Sequence, residues 1–252
     1  MSYIIEFKHV SKSFGRHKVL DELDLQIPKG RITFILGKSG EGKSVTIKHI
    51  MGLLKPDQGR IIVNGVDITD YTIEQLRDYR KGFGMLFQNA ALFDSMSVGE
   101  NVLFPLIEHQ RDKMSIMLER VEEVLTQVGL PNMQHKYPPE LSTGQRKRVG
   151  LARALVTRPK IILYDEPTTG MDPLVSEMID SLIVQLSREE QDLTSVVISH
   201  DIKAALATGE NLLFLYKGKL ALGGPPKAFK ESTDPVVRQF FAGRVEGPME
   251  FF

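Results

Sequence analysis

Gly37-Lys-Ser-Gly-Glu-Gly-Lys-Ser44 has the G-x-x-x-x-G-K-[ST] spacing of a phosphate-binding P-loop. Glycine lets backbone N–H groups turn inward and approach phosphate oxygens closely. A helix that begins there adds its partial positive N-terminal charge. Gly37, Lys38, Ser39, Gly40, Glu41, Gly42, Lys43, Ser44 and Val45 are therefore expected to cradle a nucleotide. Lys43 should reach the β- and γ-phosphates, and the Ser44 hydroxyl should ligate Mg²⁺.

Hydrolysis needs carboxylates, and Asp165 and Glu166 follow the apolar run Ile161-Ile-Leu-Tyr164. A carboxylate at the end of a buried strand projects into the ligand crevice of an α/β sheet. On an extended chain the two side chains point to opposite sides. Asp165 is expected to hold Mg²⁺, and Glu166 to act as general base on the attacking water. Gln88 and His200 also end apolar strands. Gln88 could orient water or Mg²⁺, and His200 could hydrogen-bond the γ-phosphate. Leu141-Ser-Thr-Gly-Gln145 opens a helix with Ser142 as N-cap and Gln145 three residues on, a capping box and a second anion-binding helix end. One nucleotide can hardly use both helix ends from one copy. A symmetric dimer resolves this, with the motif of one copy closing over the nucleotide of the other.

These residues require an α/β frame. Ile32–Leu36 reads as a buried strand into the P-loop, and Ser44–Met51 as the helix after it. Residues 3–10 and Val19–Ile27 read as strands, with Ser11-Lys-Ser-Phe-Gly15 as a polar turn between them. Residues 60–65 form a further short strand and turn. An antiparallel N-terminal sheet beside a parallel P-loop core follows. Ile73–Tyr79 reads as a helix, Gly82–Phe87 as a strand, and residues 97–128 carry helical periodicity. Lys160–Asp165 and Thr194–Ser199 are buried strands, and Pro173–Leu186 is a helix with proline in its first turn. Asn211–Tyr216 and Lys219–Leu222 flank the turn Lys217-Gly218, and short helices follow through Phe241. The expected division is a core of residues 1–88 and 159–241, a helical insert at 89–158 and a tail at 242–252.

The chain has 252 residues, with 32 basic and 32 acidic side chains. No global field draws it to nucleic acid or an anionic membrane. The absence of cysteine excludes disulfides and thiolate metal sites. No apolar run reaches bilayer length and no signal peptide is read, so membrane association is expected through partners.

Taken in order and spacing, Gly37–Ser44, Gln88, Leu141–Gln145, Ile161–Glu166, Gly170-Met-Asp172 and His200 resemble the ATPase subunit of ABC transporters over nearly the whole chain. The resemblance implies an ABC ATPase fold, ATP and Mg²⁺ as cofactors, a homodimer and a transmembrane permease. It implies that Gln88 is the Q-loop residue, sensing both Mg²⁺ and the permease. Ser142, Gly144 and Gln145 fall in the signature motif that contacts the partner's nucleotide. Asp165 and Glu166 resemble the Walker B aspartate and catalytic glutamate, Asp172 the D-loop aspartate at the dimer seam, and His200 the switch histidine. Phe14 sits where an aromatic, usually Tyr, stacks on adenine. Thr143 departs from the usual Gly and stiffens the signature loop.

A narrower resemblance, to the ATPases of Mce-type transporters that maintain lipid asymmetry, rests on Gly42–Asp57, Leu86–Asp94 and Asp234–Phe240. It implies a phospholipid substrate, a permease and an Mce-type lipid-binding partner, at the cytoplasmic face of a bacterial inner membrane. The apolar stretch Ala90-Ala-Leu-Phe93 is expected either to dock a permease helix or to pack inside the insert. Met249, Phe251 and Phe252 either pack on a neighbouring subunit or fray. The alternatives are a non-transport nucleotide switch or transport of a different substrate. A single cassette without a coiled-coil insertion or basic arm weighs against the switch, and no Asn-Lys-x-Asp guanine reader supports a GTPase.

Overall fold

The computed structural model describes residues 2–109, 113–190 and 192–249. The chain forms two compact units, one of residues 1–72 with 197–252 and the other of residues 73–196.

The first unit opens with β1 (Tyr3–Phe14) and β2 (His17–Pro28), then β3 (Ile32–Leu36), α1 (Lys43–Ile50), β4 (Gln58–Val63) and β5 (Val66–Asp67). An antiparallel sheet in the order β2-β1-β4-β5 buries Ile5, Phe7, Leu20, Leu23, Ile27 and Ile61. The polar turn expected at residues 11–15 is strand as far as Phe14, which pairs with His17. Ser11 is buried there because its hydroxyl accepts the Glu22 N–H at 3.0 Å, so a polar side chain sits inside the ladder with its partner met.

The second unit contains α2 (Ile73–Arg80), β6 (Phe83–Leu86), α3 (Val98–His109), α4 (Met114–Gln127), α5 (Thr143–Leu155), β7 (Ile161–Asp165) and α6 (Pro173–Glu189). β6 and β7 pair in parallel, Phe83 opposite Ile161. The periodic stretch 97–128 forms two helices, and α3 accommodates Pro105 in its interior. Arg120 of α4 is buried and donates to the carbonyls of Leu155 and Val156, so α4 satisfies the C-terminal end of α5. β8 (Thr194–Ile198) lies beside β7 and carries the chain back to the first unit.

There α7 (Ile202–Thr208), β9 (Asn211–Tyr216), β10 (Lys219–Gly224), α8 (Pro226–Lys230) and α9 (Pro235–Phe241) complete the fold. β9 pairs in parallel with β3 and antiparallel with β10. The expected parallel core strand, antiparallel N-terminal sheet and helix-rich segment are all present. The tail beyond Ala242 folds back on its own chain. Met249 is buried, its N–H donating to Gln239 Oε1 at 2.7 Å, while Gln239 Nε2 donates to the Val245 carbonyl at 3.0 Å. Met249 thus finds an intrachain seat; Phe251 and Phe252 lie outside the described residues. No helix among the described residues is long and apolar enough to cross a membrane.

Candidate functional site

The first unit carries the P-loop. β3 is buried along its whole length and delivers the chain to Gly37. A Cβ at Gly37 (φ +156) would lie 2.7 Å from the Leu215 carbonyl oxygen, and one at Gly42 (φ +93) 2.6 Å from Leu20 Cδ2. Both positions therefore demand glycine for conformation and for space. Lys43 is 6% exposed, and its ammonium donates to the carbonyls of Gly37 at 2.7 Å and Lys38 at 2.9 Å. Loop and ammonium form one ring around the N-terminus of α1, which carries no side-chain cap. Uncapped helix N–H groups and a fixed ammonium fit a polyphosphate. Lys38 and Val45 are half-buried, Ser39 and Gly40 exposed. Glu41 faces away from the cradle, its carboxylate accepting the Lys217 N–H and tying the loop to the β9–β10 turn. Ser44 is exposed at the first turn of α1.

Phe14 is half-exposed at the tip of the β1–β2 hairpin, with the Lys12 ammonium 5.8 Å from its ring centre. Leu20, on the same hairpin, packs against Gly42, so the hairpin lies beside the P-loop. His200 is exposed two residues past β8. The preceding Ser199 N–H donates to the Ile35 carbonyl at 3.4 Å, which sets His200 near the P-loop end of β3.

The second unit holds the remaining residues. β7 ends at Asp165, which is half-buried. Glu166 takes φ +47, so the expected extended geometry stops one residue early. Glu166 is turned off the strand by a left-handed step, uncommon outside glycine. Its Oε2 accepts the Thr169 hydroxyl at 3.0 Å, which fixes one face of the carboxylate. Gln88 lies exposed two residues beyond β6.

The capping box is formed as expected. Ser142 Oγ accepts the Gln145 N–H at 3.2 Å, and the Ser142 N–H donates to Gln145 Oε1 at 2.9 Å. Thr143 is exposed, and Arg146 donates to its hydroxyl at 3.3 Å. Gly144 is buried, and a Cβ there would lie 2.8 Å from Val175 Cγ1. The Val175 N–H donates to Asp172 Oδ1 at 3.0 Å, so Gly144 and Asp172 meet through one residue of α6. Asp172 is the N-cap of that helix.

Two basic residues escaped the sequence reading. Lys147 of α5 is 3% exposed and donates to the Phe87 carbonyl at 3.4 Å. Burial pulls its ammonium down to about 8, while the Asp165 and Glu166 charges pull the other way. Arg153, two turns on, donates to the carbonyls of Ala91 at 2.6 Å and Ala90 at 2.7 Å. These bonds hold Ala90 and Ala91 at φ +59 and +49. The signal was the spacing 147, 150, 151, 154, which places Lys147 on the same face as Gly150, Leu151 and Ala154.

Each expected Mg²⁺ ligand can be judged by its own donor atom. Ser44, Gln88 and Asp165 offer hard oxygen donors of the kind Mg²⁺ takes when it keeps most of its waters and binds phosphate as well. No group of three or more His, Asp or Glu gathers as a metal cage among the described residues.

The family described as ABC transporter matches residues 20–169. The probable ribonucleotide transport ATP-binding protein mkl of Mycobacterium leprae is 41% identical over 249 residues, covering 99% of this chain and 72% of that protein. The intermembrane phospholipid transport system ATP-binding protein MlaF of Haemophilus influenzae is 39% identical over 248 residues, covering 98% and 94%. The dimeric post-hydrolysis structure of the ATP-binding cassette MJ0796, bound to ADP and Pi, superposes with a TM-score of 0.79 at 32% identity, covering 88% and 98%. The P-loop geometry and these likenesses lead to one conclusion: this chain belongs to the ABC transporter family as one of its ATP-binding, ATP-hydrolysing proteins.

Proposed function

We propose that the chain works as a homodimer whose ATP-driven closure powers phospholipid transport through a membrane permease, at the cytoplasmic face of a bacterial inner membrane. The observation that carries the permease is an apolar cleft of about 460 Å³ in the second unit, lined by Phe83, Met85, Phe87, Phe93, Phe104 and Pro105 among others. Phe87 and Phe93 are more than 40% exposed. Exposed aromatic rings around a concave apolar surface suit a short helix of a partner. Phe87 lines the cleft and precedes Gln88 in the chain, so a partner seated there would act on the segment that carries Gln88. The phospholipid substrate is supported by the name of the Haemophilus influenzae relative, and an Mce-type lipid-binding partner rests on the resemblance carried by residues 42–57, 86–94 and 234–240. The ribonucleotide in the name of the Mycobacterium leprae relative has no such support in the residues.

MgATP supplies the γ-phosphoryl group and the metal charge. The P-loop amides and Lys43 hold the phosphates, and Ser44, Gln88 and Asp165 are the candidate metal ligands, with Phe14 under the base. Glu166 accepts the proton of the attacking water, and His200 hydrogen-bonds the γ-phosphate. Ser142, Gly144 and Gln145 of the second copy close the pocket, with Asp172 at the seam. In this reading residues 1–88 and 159–241 form the catalytic core, 89–158 the insert and 242–252 the tail. Affinity purification from detergent-solubilised membranes, with mass spectrometry of bound proteins and lipids, tests it. A permease and phospholipid are expected with the wild type and lost with Phe93→Glu; recovery of ribosomes or of no membrane protein would sink the proposal.

A further inference from the structure

A second cavity of about 460 Å³ lies within the second unit, bounded by Gln88, Asn89, Thr143, Arg146, Lys147 and Thr169. Its polar walls are two cations, two amides and two hydroxyls, with no carboxylate among the lining residues. Lys147 is 97% buried, yet among the described residues its three N–H groups make one hydrogen bond, a long one of 3.4 Å. The Asp165 and Glu166 charges offset part of the cost of that burial through space, but with a single long hydrogen bond the ammonium still has donors to offer an anion in the cavity. At one edge of the cavity, Thr169 donates its hydroxyl to Glu166 at 3.0 Å. The cavity thus begins one side chain away from the carboxylate assigned to water activation.

We propose that this cavity is a way-station for inorganic phosphate, the oxyanion released by hydrolysis, before it leaves the protein. The inference rests on the reading of Glu166 as the base. Lys147 and Arg146 neutralise the dianion, the amides of Gln88 and Asn89 donate to its oxygens, and the hydroxyls of Thr143 and Thr169 donate or accept according to its protonation. The volume leaves room for water around the ion, which suits passage rather than tight capture.

The test is titration of the full chain, saturated with MgADP, with inorganic phosphate followed by ³¹P NMR. Saturable binding is expected. Lys147→Gln and Arg146→Gln should each weaken it on the order of tenfold, the scale of one charge-assisted hydrogen bond, and Lys147→Arg should restore most of it. Replacing ADP with a non-hydrolysable ATP analogue should leave the affinity within about twofold. No saturable binding, an unchanged affinity in Lys147→Gln, or loss of binding with the analogue would each overturn the proposal, the last because phosphate would then be occupying the γ-phosphate position. Should Lys147→Gln fail to fold by circular dichroism, Arg146→Gln and Thr143→Val at the more exposed side decide, and no change in either overturns it. Glu166→Gln should retain phosphate binding. Normal ATP turnover in that variant would remove the general-base reading without altering the phosphate titration, so the two failures are distinguishable.

Discussion

The Thr169 hydroxyl and the Glu166 carboxylate are joined across 3.0 Å, three residues apart, over a left-handed step in the backbone. The bond aims a carboxylate that the strand itself does not aim. Glu166→Gln should bind ATP with near wild-type affinity and lose turnover by about 10²–10⁴-fold, the usual worth of a general base. Thr169→Val should lower kcat several-fold with little change in KM. Steady-state kinetics with a fluorescent nucleotide titration reads both. Wild-type-like turnover in Glu166→Gln would remove Glu166 from the mechanism.

With turnover blocked and MgATP present, the Glu166→Gln protein should run as a dimer in size-exclusion chromatography. Without nucleotide it should run as a monomer. Ser142→Arg should prevent that dimer, because a long cation would stand at the helix end meant for the partner's nucleotide. A strictly monomeric Glu166→Gln protein, alone and beside its permease, would contradict closure over shared nucleotide.

Lys43→Ala removes the ammonium that closes the P-loop on the carbonyls of Gly37 and Lys38. It should abolish nucleotide binding at concentrations that saturate the wild type. Gly42→Ala acts differently. It places a methyl 2.6 Å from Leu20 Cδ2 at a φ of +93, and should cost about 1–3 kcal/mol in denaturant unfolding even without nucleotide. Lys43→Ala also strips two carbonyls of their buried donor and should lower the unfolding midpoint as well, so the nucleotide titration, in which Gly42→Ala should keep measurable binding, separates chemistry from scaffold.

Arg153 holds the carbonyls of Ala90 and Ala91, and Ala90 is buried. Arg153→Met keeps the stem but withdraws the donors. It should destabilise by about 1–3 kcal/mol and raise hydrogen exchange in residues 87–93. Permease capture should fall with it, since the apolar cleft shares that loop.

His49 is fully buried in α1, with Nδ1 2.8 Å from the Val45 carbonyl and, among the described residues, no hydrogen-bond partner at Nε2. Burial holds its pKa below the ordinary 6.5; Lys12 acts the same way, while the Val45 carbonyl and Asp57 oppose. The unfolded chain therefore takes up a proton more readily than the native one. Stability should be full above pH 6.5 and fall as pH drops from there to the depressed native pKa, below which this contribution is flat. His49→Leu should flatten that part of the melting-temperature profile. An unchanged slope would mean that another group carries it.

The phosphate-binding half of the site could be read from the chain because glycine spacing, an apolar strand and a helix coincide within residues 32–51. The capping box at Ser142 was equally legible, since both of its hydrogen bonds lie within four residues. What local pattern could not supply were features decided by distant neighbours. Residues 11–14 look like a turn, yet β2 offers them a ladder and Glu22 offers Ser11 a donor. Asp165-Glu166 looks like a strand end with alternating side chains, yet the chain turns left-handed at Glu166. The spacing of residues 143–155 puts Lys147 on the face of Gly150, Leu151 and Ala154, but nothing in it reveals that the carbonyls of Phe87, Ala90 and Ala91 lie against Lys147 and Arg153.

One practical consequence attaches to Gln239. Its side-chain amide donates to the Val245 carbonyl and accepts the Met249 N–H, so one side chain of α9 clasps residues 245–249. An affinity handle or fluorescent fusion joined close behind Met249 would tug on this clasp and imitate a damaged protein. Gln239→Ala, which should expose the stretch after Gly243 to trypsin, is the control that tells a pulled clasp from a true defect.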